Sequence, residues 1–117
     1  MTTIAHQPPR FDIEPIPLLR LFVATDAQMR LRLSADMIRL FNIDAGQRVE
    51  LGYDAAARAI AIRQAGNPND PQAANVDKRG YISARRFYDR TQIPAVARRY
   101  EFEGEQDGWL VFLAEED

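Results

Sequence analysis

The chain states one pattern twice. Its only serines, Ser34 and Ser83, each lie in a short phrase of apolar residue, serine and alanine: Leu33-Ser34-Ala35 and Ile82-Ser83-Ala84. A basic residue precedes each phrase, and an amphipathic stretch ending at an isoleucine (Ile43, Ile93) follows it. Two strand-like runs come next in both copies, Val49-Glu50-Leu51 with Ile60-Ala61-Ile62, and Tyr100-Glu101-Phe102 with Leu110-Val111-Phe112. The offset drifts only from 49 to 51 residues, so the likeness is one of pattern more than identity. A unit of this length cannot bury its own faces, and two such units are expected to pack on one another.

The periodicities give each copy the order β–α–β–β. Arg30-Leu31-Arg32-Leu33 alternates as a half-buried strand does. Ser34 is a candidate helix cap with Asp36 in the first turn, and Met37, Ile38, Leu40 and Phe41 form an apolar stripe at helical spacing. Asp44-Ala45-Gly46 turns the chain into a strand over 47–53, and 59–63 returns beside it. The second copy runs from Lys78: a short strand Gly80-Tyr81-Ile82, Ser83 as cap, a helix over 84–91 carrying Phe87, and a hairpin of 97–103 with 108–113 about Asp107-Gly108. Trp109–Leu113 is apolar throughout, as in a strand covered on both faces. The expected fold is a strand-rich, mixed α/β (α+β) domain over 18–117. Its repeats span about 26–63 and 79–113, joined by a turn-rich linker at 64–77 that contains Gly66-Asn67-Pro68-Asn69-Asp70-Pro71. Residues 1–17, with four prolines, read as an extended arm. Leu18–Ala24 reads as an extra N-terminal strand buried on both faces, without a counterpart in the second copy.

The net charge of −2 conceals segregation. Residues 78–99 carry seven cations against Asp89 alone, whereas residues 101–117 carry seven acids and no cation. A basic segment attracts phosphate, and an acidic neighbour cancels it or pairs with it. With no cysteine, disulfides and thiolate metal sites are excluded. No run approaches the roughly 20 apolar residues of a membrane span, and the start lacks a signal-peptide pattern, which makes the cytoplasm the expected compartment.

Catalysis has little support. The single histidine, His6, lies in the proline-rich arm, neither serine has a histidine or cysteine to activate it, and no phosphate-cradling glycine loop or metal-ligand spacing occurs. No cofactor, small-molecule ligand or membrane partner is implied. Glu101, Glu103 and Glu105 alternate as the solvent face of a strand. Arg85 and Arg86 stand out because they occupy a first helical turn, where the helix dipole disfavours cations by about 0.3–1 kcal/mol each. A phosphate or a nearby acid such as Asp89 would compensate them. Tyr81, Phe87, Tyr88 and Tyr100 lie near the basic segment, with Phe87 expected in the core.

The phrase Asp26-Ala27-Gln28-Met29-Arg30-Leu31-Arg32-Leu33-Ser34, followed by Met37-Ile38-Arg39-Leu40-Phe41-Asn42-Ile43, resembles the swapped-hairpin DNA-binding domain of AbrB-type transition-state regulators. The same unit occurs in MazE-type antitoxins and, twice per chain, in MraZ. Met29 and Asn42 stand where that family has glycines. The resemblance covers 26–63 and, more loosely, 79–113. It implies two interlocked units forming one barrel-like body, here a pseudo-dimer within one polypeptide. It implies a DNA-binding transcriptional regulator whose phosphate contacts come from Arg30, Arg32, Arg39, Lys78, Arg79, Arg85 and Arg86. The rival expectation is a protein-interaction module, antitoxin-like or a phage or plasmid accessory, binding a protein partner or a second copy through its bipolar surface and arm.

Overall fold

A computed structural model describes residues 10–115. The elements, in chain order, are β1 (Phe22–Thr25), β2 (Arg30–Leu33), α1 (Ala35–Leu40), β3 (Arg48–Asp54), β4 (Ala59–Gln64), β5 (Ala74–Asn75), β6 (Tyr81–Ser83), α2 (Arg85–Thr91), β7 (Arg98–Gln106) and β8 (Trp109–Ala114). The eight strands form one antiparallel sheet in the order β5-β3-β4-β8-β7-β1-β2-β6. A bridge between Val76, just past β5, and Ile82 in β6 brings the two ends together, so the sheet is nearly closed into a barrel.

Alternation decides which side chains enter the barrel. Leu31 and Leu33 of β2 are buried, as are Val23, Val49, Ile60, Ile62, Ile82, Tyr100 and Phe112, each at most 2% exposed. The registers align them: Val23 lies opposite both Leu33 and Tyr100, Leu31 opposite Ile82, and Ile60 opposite Phe112. The expected continuous burial of 109–113 gives way to the same alternation. Leu110 and Phe112 point inward, while Trp109, Val111 and Leu113 lie on the outer face, half-buried.

The helices seal the barrel with aromatic contacts. Phe41, just after α1, packs edge-on to Phe102 at 5.3 Å, and Phe102 leans on Phe112. Phe87 of α2 meets Tyr53 of β3 at 6.2 Å, although the buried α2 residue is its neighbour Tyr88. The Tyr88 hydroxyl donates to the Arg30 carbonyl at 2.5 Å and accepts from the Asp26 amide at 3.2 Å, tying α2 to the turn before β2. Burial pushes its pKa up to about 12, so it stays a donor at every ordinary pH.

Two turns repeat atom for atom. The Asp26 carboxylate accepts from the amides of Gln28 and Arg30, and the Asp77 carboxylate from those of Arg79 and Tyr81. In each, the fourth residue has positive φ, Met29 at 57° and Gly80 at 83°. Met29 therefore takes the glycine conformation, strained for its side chain, because the Asp26 carboxylate closes the turn around it. At Gly80 no side chain fits, since a Cβ would sit 2.7 Å from Ile38 Cδ1 and 3.0 Å from the Leu33 carbonyl oxygen.

Four expectations are corrected. The N-terminal strand begins at Phe22, and Leu18 and Leu19 are 89% and 54% exposed instead of buried. The expected linker 64–77 contains β5, which pairs with β3. β1 stands between β2 and β7 as β5 stands between β6 and β3, so β1 is not surplus to the pattern. Finally, the two serines are not equivalent caps. Ser34 is buried and accepts from the Met37 and Phe22 amides, but Ser83 is an exposed strand residue and the N-cap of α2 is Ala84, with no side-chain cap. The repeated turns, not the serines, mark the correspondence.

Candidate nucleic-acid interface

With Leu31 and Leu33 inside, Arg30 and Arg32 must lie on the outer face of β2. Cross-strand register extends that face. Arg99 of β7 lies opposite Ala24 of β1, Ala24 opposite Arg32 of β2, and Arg32 opposite Tyr81 of β6. Partners in register share a face, so these four residues form one row. Ala24 is the small member, and it leaves a cleft of about 580 Å³ between flanking arginines. Arg30, Arg32, Arg98 and Arg99 line the cleft against two carboxylates, Asp26 and Glu115.

Aromatic rings hold the guanidinium groups. Phe22 lies on the outward side of β1 yet is only 5% exposed, with Arg99 and Arg32 over its ring at 4.4 and 5.5 Å. Tyr81 carries Arg30 at 4.2 Å and Arg79 at 5.3 Å. Such contacts are worth about 0.5–1 kcal/mol at exposed sites. A ring can occupy only a face of a guanidinium group, and the N–H edges of such a group are what make bidentate contacts to phosphate. Arg30 is also fixed by Asp26, Nε to Oδ2 at 2.8 Å, and the buried Tyr100 hydroxyl is hydrogen-bonded to Arg98.

The expected site residues divide. Arg30 and Arg79, from the two halves of the chain, converge on Tyr81, and Arg32 stands opposite Tyr81 in register while lying over Phe22. Lys78 is exposed beside Arg79 in the Asp77 turn, where the Tyr81 amide chiefly, then the Arg79 amide, hold the Asp77 carboxyl below its usual range. Arg39 is separate: it pairs with Asp36 on α1 and does not line the cleft. The Arg20 amide, then Arg39, lower the Asp36 pKa. Arg85 and Arg86 are exposed at the start of α2 and, among the described residues, make no ion pair, with Asp89 or otherwise. His6 lies outside the described residues.

The sequence pattern did not point to Arg98, Arg99 or the two rings. A signal existed in β7, where placing Tyr100 inside forces Arg99 outside, but the pairing of β7 with β1 is not legible locally. The charge segregation also has a geometric account. β7 carries its cations at its start and its acids toward the hairpin, and at about 3.4 Å per residue it holds Arg98 and Gln106 roughly 27 Å apart. The acids lining the cleft are Asp26 and Glu115, and Glu101 stands beyond it on β7, opposite Phe22. Burial, then the hydrogen bond and charge of Glu115, push the Glu101 carboxyl up.

Among the described residues, no group of three or more His, Cys, Asp or Glu could hold a metal ion, and no helix is long and apolar enough to cross a membrane. No family model matches the chain, and neither a curated protein nor a solved structure does.

Proposed function

We propose that the protein is a non-enzymatic DNA-binding regulator of the AbrB-like kind, gripping DNA phosphates with the arginines of the β7-β1-β2-β6 face. The carrying observation is the convergence of Arg30, Arg32, Arg79 and Arg99 on one outer surface over two aromatic rings. Arginines of both halves on one face favour an extended polyanion, and β2 with β6 offers a two-stranded ribbon of a width the major groove admits. Lys78, Arg85 and Arg86 would reach flanking phosphates, with Arg39 the most peripheral contact.

Strand pairing supports the interlocked architecture. The hairpins β1–β2 and β3–β4 do not pair with each other. β1 pairs with β7, β3 with β5, β2 with β6 and β4 with β8. Exchanging β1 with β5, β2 with β6, β3 with β7 and β4 with β8 leaves every neighbour relation intact. On this reading the repeat is β–β–α–β–β, and the chain is a pseudo-dimer in which each half completes the other.

Fluorescence anisotropy with mixed-sequence duplex DNA over a salt series tests the function. Expected is binding that weakens with salt at a slope of about −0.9 per phosphate contact, reduced when Arg32 and Arg99 are both changed to alanine. Equal affinity and slope in that variant would rule out this face.

A further inference from the structure

The exposed turn between β3 and β4 breaks a local rule without local compensation. Asp54 Oδ1 accepts from the Ala56 and Ala57 amides at 3.0 and 3.2 Å, and the chain folds back so that Ala59 pairs with Asp54. The closing residue, Arg58, has φ 56°, in the left-handed region that glycine, asparagine and aspartate visit and longer side chains resist. Most positions of this kind in the chain are glycine, asparagine or aspartate, and the other exceptions are Met29 and Gln92. Both of those are compensated. Met29 packs against the core, and Gln92, the C-cap of α2, donates its side-chain amide to the Asp89 carbonyl. Arg58 is exposed and, among the described residues, enters no ion pair or hydrogen bond. A residue held where its type is disfavoured points to a role outside its own turn.

The registers place this turn beside the start of β7. Ala59, the residue after Arg58, lies opposite Leu113, and Ala114 lies opposite Tyr100. Between the turn and Arg98 opens a cleft of about 610 Å³, lined by Arg58, Arg98, Glu115 and the small side chains of Ala56, Ala57 and Ala114. It adjoins the arginine cleft, because Arg98 and Glu115 line both. The Tyr100 hydroxyl lies near both cations. Burial raises its pKa, and Arg98, then more weakly Arg58, oppose that rise. Two guanidinium groups against one carboxylate give this second cleft a positive balance, and its alanine lining keeps it open.

We infer that Arg58 and Arg98 form a second phosphate site, which carries the DNA track from the β7-β1-β2-β6 face to the β3–β4 turn. The inference rests on the DNA-binding reading and extends it to a part of the barrel that the reading does not use. A nucleic-acid strand presents one phosphate per roughly 3.4 Å of its axis, so two clefts that share Arg98 suit successive phosphates of one strand. The strained backbone at Arg58 is then offset by what binds there rather than by the fold.

The test compares the full-length protein with Arg58→Gly and Arg58→Lys. Fluorescence anisotropy on mixed-sequence duplex DNA over a salt series gives binding, and chemical denaturation gives stability. Glycine accepts the left-handed conformation, so Arg58→Gly should unfold at a denaturant midpoint no lower than that of wild type. Its DNA affinity should nevertheless fall about threefold to tenfold, with a salt slope flatter by about 0.9 for the phosphate lost. Arg58→Lys keeps the charge and should keep the wild-type slope. A glycine variant with wild-type affinity and slope overturns the inference, as does a lysine variant as weak as the glycine one. A midpoint well below wild type in Arg58→Gly overturns it too, because Arg58 would then serve the fold. A wild type that binds no duplex at low salt brings down the DNA reading and this site with it. Binding that depends on Arg32 and Arg99 but not on Arg58 removes the second site alone.

Discussion

Two outer faces of the same barrel are built on opposite rules. On the β7-β1-β2-β6 face, large aromatic rings lie beneath long cationic side chains, and Phe22 is buried with Arg32 and Arg99 over its ring. On the β3-β4-β8-β7 face the row is Gly52, Ala61, Val111 and Gly104, and the one large ring lies sideways across a glycine. The inner faces of both are the same apolar layer, so nothing in the core requires this difference. An outer face free of core duty is set by what meets it. The first face carries fixed charge over aromatic rings, and the second an apolar groove beside Trp109.

The strongest way to break the comparison is to remove the base of the charged face. Phe22→Ala deletes the ring beneath Arg32 and Arg99 and should cost about 3–5 kcal/mol of stability, the range for a buried Phe→Ala change. Phe22→Leu refills much of the space without a π face. It should recover most of the stability, as read by chemical denaturation, while leaving both guanidinium groups unanchored and DNA affinity lowered. If Phe22→Leu binds DNA as wild type does, the rings do not organise the arginines.

On the bare face the corresponding change adds atoms. Gly52→Val would press a side chain against the Trp109 ring, 3.1 Å from the site of the new Cβ, and overpacking of this kind costs about 1–3 kcal/mol. The indole should swing into the groove and its emission move red. An unaltered Trp109 spectrum with unaltered stability would mean that the tight approach does not shape the groove. A smaller effect, confined to binding, is expected from Arg32→Ala with Arg99→Ala. Both side chains are half-buried over Phe22 on the outer face and neither enters the barrel core, so the fold should hold with the ring uncovered. Affinity for duplex DNA should drop roughly tenfold to hundredfold at low salt, and the salt slope should flatten by about 0.9 for each phosphate no longer neutralised.

How far the sequence discloses these faces depends on the range of the interaction that makes them. Alternation in Arg30–Leu33 puts the arginines outside, and the Asp107-Gly108 turn marks the β7–β8 hairpin, because both depend on neighbours in the chain. Positive φ at Asn42 (51°) follows from a residue that tolerates it. The row Arg99–Ala24–Arg32–Tyr81 joins residues far apart in sequence, and no local period announces that β1 lies against β7. The two-residue β5 was hidden in a turn-rich stretch because it pairs with only two residues of β3 and carries little pattern of its own. Leu18 and Leu19 misled for the opposite reason. Apolar composition reads as burial, and here it belongs to an arm whose surface lies outside the barrel.

The smallest expected effect lies where the charged face meets its acidic border. Glu101 stands opposite Phe22 on the outer face, with Glu115 and Glu103 as like charges and Arg20 as the opposing one. Burial first and Glu115 second raise its pKa above the ordinary 4.5. The folded state therefore holds this proton more tightly than the unfolded chain does. Its contribution to stability is fully present below pH 4.5 and is lost as pH rises through the raised folded value. Glu101→Gln removes the titration. The difference in Tm between variant and wild type should then increase in favour of the variant as pH climbs through that window and level off above it. DNA affinity should follow the same group with the opposite consequence for wild type. Acidification neutralises a carboxylate beside Arg99 and strengthens phosphate binding, and the glutamine variant should bind more tightly than wild type above the window and equally below it. Parallel Tm curves across the window, with affinities that keep a constant ratio, would show that Glu101 does not share its proton with Glu115 and that the acidic border leaves the arginine face unmodulated.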